Sequence, residues 1–143
     1  MDKSRGDRIE MRYIVGLVLF AITLFGEEIK WANSWNEALK LAKEEQKLIM
    51  LVVSQPHCGA CQFFKDITLE DDEVISEVNR YYIPITLDID EVPNNLYVTA
   101  TPTIRFFTPQ GKKIRYKIVG GLNAKQFLPR IRKLREVFYQ HRR

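Results

Sequence analysis

The run Leu48-Ile49-Met50-Leu51-Val52-Val53 is apolar at every position, and a few residues later the chain reads Cys58-Gly59-Ala60-Cys61. An unbroken apolar hexamer suits a central strand covered on both faces, because a half-exposed strand alternates. Such a strand calls for a layered α/β domain with crossover helices. The two cysteines that follow are the only ones in the chain. A helix opening at Cys58 turns its unpaired N–H groups and the positive end of its dipole toward the first sulfur, which stabilises a thiolate. That arrangement suits dithiol–disulfide exchange, which needs no metal and no organic cofactor.

Other uses of a C-x-x-C are served less well. A structural zinc takes four ligands, and beyond the cysteines the chain offers only His57 and His141 as histidines. A purely stabilising disulfide gains little from so short a ring, which constrains few residues of the unfolded chain. The alternative from a different class is a soft-metal module, in which His57, Cys58 and Cys61 bind or deliver an ion such as Cu(I).

A chain of 143 residues is expected to form one domain with a proper core. Its net charge of +4 is mildly basic. Arg130, Arg132, Lys133, Arg135, Arg142 and Arg143 are the densest cations, but Ile131, Leu134, Val137 and Phe138 are interleaved with them. This is the solvated face of a terminal helix, so nucleic acid is not an expected partner. At the other end, Lys3, Arg5, Arg8 and Arg12 precede the uncharged stretch Tyr13 to Phe25, and Glu27 and Glu28 follow. Residues 1–26 have the form of a secretory signal, or of a membrane anchor through residues 13–25, although the run is short of the about 20 residues of a full span. The expected functional unit is therefore residues 27–143. It is monomeric and exported, in a periplasm or an equivalent compartment where disulfides persist.

Ser34 with Glu37 predicts a capping box for a helix carrying Trp35, Ala38, Leu39 and Ala42 and ending near Gln46. Trp31 and Trp35 are read as packing for that helix. The cysteine helix continues through Phe63, Phe64 and Ile67, and a second segment with Val74, Ile75 and Val78 follows Asp71 and Asp72, read as helix-start charges. Ile83, Ile85, Leu87 and Ile89 alternate as in a strand. Asp88, Asp90 and Glu91 form a loop cluster without the spacing of a calcium loop. Thr103 to Thr108 and Ile114 to Ile118 predict a hairpin about Pro109-Gln110-Gly111, before Asn123 caps a last helix that Pro129 should kink or delay.

With these residues in place, the chain resembles the thioredoxin superfamily over about residues 30–140. The resemblance rests on the strand leading into Cys58-Gly59-Ala60-Cys61, on Ala100-Thr101-Pro102-Thr103 opening a later strand, and on Gly120 after the hairpin. It is nearest to exported thioredoxin-like thiol:disulfide interchange proteins, including the C-terminal domains of periplasmic disulfide reductases. The resemblance implies a thioredoxin-like α/β fold with a central mixed sheet flanked by helices. It implies Cys58 as nucleophile, Cys61 as resolving cysteine, and Thr101 and cis-Pro102 as the turn that receives a substrate chain beside His57. Partners would be protein thiols or disulfides and an upstream redox donor. The chain departs from the family at His57, where tryptophan is usual, at Ala60 in place of proline, and at Val52 in place of a buried acid. Gly59 and Ala60 put no histidine between the sulfurs, which favours a reductant over a strong oxidant.

Overall fold

The computed structural model describes residues 26–141; the apolar run at 13–25 lies outside the described residues. The elements run α1 (Trp35–Glu45), β1 (Leu48–Ser54), α2 (Gly59–Phe63), a single π-helical turn (Phe64–Thr68), α3 (Asp72–Tyr81) and β2 (Tyr82–Asp88). Two short 3-10 turns (Ile89–Glu91 and Asn94–Leu96) then lead to β3 (Thr103–Phe107), β4 (Lys113–Val119) and α4 (Ala124–Gln140). The strands form one mixed sheet in the order β2-β1-β3-β4. β1 is parallel to β2, with Leu48 opposite Tyr82, and antiparallel to β3, with Val53 opposite Thr103.

This topology explains the apolar hexamer. Leu48, Met50 and Val52 face a core shared with Phe64, Val78, Phe106, Phe127 and Ile131. Ile49, Leu51 and Val53 face a second core with Ala38, Ala42, Ile85 and Phe107. Both faces of β1 are thus dry, and all six residues are at most 5% exposed. Each large aliphatic so enclosed contributes about 1.5–3 kcal/mol relative to exposure, which fixes β1 at the centre. Trp35 packs edge-on against Phe107, with ring centroids 4.8 Å apart, as expected of a packing residue.

Several local expectations change. Ser34 caps α1 by accepting the Glu37 N–H, but the Glu37 carboxylate reaches the N–H of Asn33 at 2.6 Å instead of closing the box on Ser34. β2 does not alternate as a half-exposed strand: Tyr82 to Ile85 are all buried, and Ile89 falls in the following 3-10 turn. The cause is its parallel pairing with β1, which places it under helices on both faces. Pro129 does not delay α4, which begins at Ala124 behind the Asn123 cap and continues to Gln140. Asp71 caps α3, and Asp88 with Glu91 forms a capping box, so these acids serve backbone N–H groups. Among the described residues, no helix is long and apolar enough to cross a membrane.

Candidate active site

β1 ends at Ser54, and Gln55-Pro56-His57 carries the chain over the end of the sheet. His57 adopts φ +59, a left-handed conformation that non-glycine residues occupy at a cost of roughly 1–2 kcal/mol. The turn it makes delivers Cys58 in extended conformation as the N-cap of α2. A cap residue normally offers an oxygen to the first free N–H groups of its helix. Here the Cys58 sulfur does so, accepting the N–H of Cys61 at 3.2 Å.

A second donor comes from across the site. The loop before β3 turns at Thr101–Pro102, whose peptide bond is cis. The Thr101 hydroxyl donates to Cys58 Sγ at 3.4 Å, and the Thr101 carbonyl oxygen lies 3.6 Å from the same sulfur. Thr103, buried at the start of β3, donates to the Ala100 carbonyl at 2.6 Å and steadies this loop from below. Cys58 and Cys61 are joined as a disulfide with their Cα atoms 5.2 Å apart. Cys58 is half-buried at the surface, whereas Cys61 is 8% exposed. The two sulfurs therefore differ in access, and both donors point at the accessible one. Donors aimed at a sulfur stabilise its anion more than its neutral form.

A cleft of about 800 Å³ opens beside the disulfide. Its walls include Trp31, Val52, Phe64, Leu69, Thr86 and Pro102, while His57 and Lys65 carry its basic groups. Among the described residues, no aspartate or glutamate lines it. The structure thus brings together Cys58, Cys61, His57, Gly59 and Pro102 in one cleft, with Thr101 on the sulfur. Among the described residues, no group of three or more His, Cys, Asp or Glu is arranged to hold a metal ion.

The sequence reading missed Trp31 and Thr86. Trp31 was expected to be packing for α1, but it precedes the helix and lines the cleft with more than a third of its surface exposed. Thr86 stands opposite Val52 in the register and donates to its carbonyl at 3.2 Å. A hydroxyl amid the aliphatics of β2 was the available signal for it. Of the apolar residues Phe63, Phe64 and Ile67 that follow the cysteines, only Phe64 is buried; Phe63 and Ile67 are exposed.

Residues 35–135 match the family described as thioredoxin-like domain. The chain belongs to this family, and its match to relatives named thiol:disulfide interchange protein and protein disulfide-isomerase makes it a disulfide oxidoreductase of that class. It is 29% identical over 103 residues to the thiol:disulfide interchange protein DsbD of Tatumella citrea, a match covering 67% of this chain and 18% of that protein. Among solved structures, a putative disulphide-isomerase from Bacteroides thetaiotaomicron superimposes with a TM-score of 0.62 at 26% identity, covering 75% of this chain and 93% of that one. A thioredoxin from Thermus thermophilus gives 0.65 at 22% identity, covering 75% and 87%, and shares the fold.

Proposed function

We propose that this protein reduces disulfides of protein substrates in an exported compartment, with Cys58 as the attacking sulfur and Cys61 as the resolving one. The observation that carries the reading is the asymmetry of the pair: Cys58 is half-buried in the cleft wall and its Sγ receives the Cys61 N–H and the Thr101 hydroxyl, while Cys61 is buried. In the reduced protein the Cys58 thiolate attacks one sulfur of a substrate disulfide, forming a mixed disulfide and releasing the other substrate sulfur as a thiolate. Cys61 loses its proton and attacks Cys58 Sγ. The intramolecular disulfide forms, the second substrate thiolate leaves, and two electrons have passed to the substrate. A dithiol donor upstream restores the pair by the reverse exchange.

The cis Thr101–Pro102 turn presents its backbone beside Cys58, where an extended substrate segment has room to lie. His57 is exposed and lines the cleft, which supports a contact with that segment. The Gly59-Ala60 dipeptide supports the reducing direction. The donors on Cys58 moderate it: a hydrogen bond to a charged group is worth about 1.5 kcal/mol, and about 1.4 kcal/mol corresponds to ~30 mV. Resemblance to DsbD, named a thiol:disulfide interchange protein, supports the exported setting.

Insulin reduction coupled to a dithiol donor tests the activity, and equilibration against glutathione tests the direction. A Cys61→Ala protein should accumulate mixed disulfides through Cys58. If it accumulates none while insulin turnover persists, the assignment of roles is wrong. A pair more oxidising than glutathione would reverse the direction.

A further inference from the structure

The three-residue turn Gly120-Gly121-Leu122, between β4 and α4, touches the cis-proline loop, the C-x-x-C turn and the π-helical turn. The Gly120 N–H donates to the Pro102 carbonyl at 2.9 Å, tying the turn to the cis-proline loop. Gly121 lies against the C-x-x-C turn itself: a Cβ there would stand 2.5 Å from the Ala60 carbonyl oxygen and 3.2 Å from its carbon. No real side chain tolerates such a contact, and the obstacle is backbone. The Leu122 carbonyl accepts the hydroxyl of Thr68 at 2.6 Å, and Thr68 is fully buried at the last position of the π-helical turn.

Thr68 would be an odd choice for packing alone. A buried hydroxyl costs free energy unless it is bonded, and a valine would fill the same space. The π-helical turn ends in the Leu69 N–H bonding back to Phe64 O at 3.0 Å, so it adds a residue to each ring relative to an α-helix. Thr68 follows Cys61 by seven residues, on a segment rigidly continuous with the cysteine helix.

We infer that Gly121 and Thr68 are positioning residues: the 120–122 turn is a clasp that fixes the C-x-x-C turn against the Thr101–Pro102 loop and so keeps both donors aimed at Cys58 Sγ. The inference rests on Cys58 being the reactive sulfur. Loosening the clasp misaligns the Cys61 N–H and the Thr101 hydroxyl, and the reduced thiolate loses their stabilisation. The dithiol–disulfide equilibrium then moves toward the disulfide, and the thiolate forms at higher pH.

The test uses the full chain and two readouts on the sulfurs themselves: equilibration against a thiol–disulfide buffer, and thiolate absorbance followed against pH. Gly121→Ala should shift the equilibrium toward disulfide by at least about fivefold, roughly 20 mV. Thr68→Val should shift it the same way by less, and Thr68→Ser should return it to within about twofold of wild type. Ile131→Val, a core change in α4 outside the clasp, should lower thermal stability without moving either readout. If Gly121→Ala does not fold, the Thr68 pair decides. Variants that lose stability while both readouts stay at wild-type values would reduce the clasp to a fold element, and a shift toward the dithiol would overturn it. Neither readout needs a substrate, so a chain inactive on insulin would sink the proposed function and still test the clasp.

Discussion

The flank where α3 meets α4 and the cleft beside the disulfide handle charge in opposite ways. On the flank, Glu77 is 7% exposed and is held by Arg135 at 2.8 Å and Arg132 at 3.6 Å. Arg135 also lies over the Tyr81 ring at 4.3 Å. Its hydrogen bond to Glu77 raises the guanidinium pKa further, against the smaller opposing effect of burial. The cleft holds His57 and Lys65 and, among the described residues, no acid. A carboxylate near a guanidinium fixes a surface; a carboxylate near a thiolate would oppose its formation or take the proton of its partner. Paired charge is used to hold the fold in one place, and negative charge is kept from the sulfurs in the other.

Four measurements break or sharpen that contrast. The largest effect is expected from putting an acid where the cleft has none. Val52→Asp should cost about 3 kcal/mol in urea unfolding, since position 52 is buried without donors set for a carboxylate. It should also shorten the life of the mixed disulfide about tenfold by offering Cys61 a base. An unchanged lifetime would mean that water already serves Cys61 as well as a fixed base.

Glu77→Gln should then cost about 2 kcal/mol with no change in turnover per folded molecule. The figure lies below that of a fully enclosed pair because Arg135 keeps some solvent contact. A loss of turnover at full folding would show that the two regions are coupled.

Tyr82 gives the pH arm. Burial, with Glu77 adding to it and Arg135 opposing, pushes its phenol far above the ordinary range. Below about pH 10 both folded and unfolded chains keep this proton; above it only the unfolded chain releases it, so stability falls as pH rises, by about 1.4 kcal/mol per unit from this group. Urea midpoints across alkaline pH should show Tyr82→Phe with a shallower fall than wild type. At neutral pH that variant should lose about 1 kcal/mol with the hydrogen bond to the Ile131 carbonyl. Parallel slopes would assign the alkaline loss to other groups.

The smallest effect belongs to His57. A β-branched residue tolerates its left-handed backbone worst, so His57→Val should be about 1 kcal/mol less stable than His57→Gly. Equal stabilities would mean that the loop relaxes to another conformation at no cost.

The two regions also differ in how far the sequence revealed them. The central strand and the cysteine helix were legible, because a doubly buried strand leaves an unbroken apolar run and exchange chemistry needs adjacent sulfurs; the Thr101–Pro102 loop was legible only through the family resemblance. The cleft walls were not legible. Trp31 and Thr86 join it only once the segment before α1 is laid against β2, with the Ala32 N–H on the Pro84 carbonyl at 2.8 Å. Which of Phe63, Phe64 and Ile67 is buried was not legible either, because α2 hands over to a π-helical turn after five residues and the helical face rotates. Periodicity reports a regular helix, and this one is not regular. Glu77 gave no signal either, since a lone glutamate in an amphipathic helix usually faces water.

Trp31 sits on a stretch without regular structure, tethered by the Lys30 N–H on Asn79, the Asn79 amide on Glu28 and the Ala32 bond to β2. One side of the opening next to the sulfurs is therefore a panel of irregular chain, fastened to α3 and to the edge strand β2 but not itself a strand of the sheet. Selection can recut that panel for new clients and leave the scaffold and its redox pair as they are.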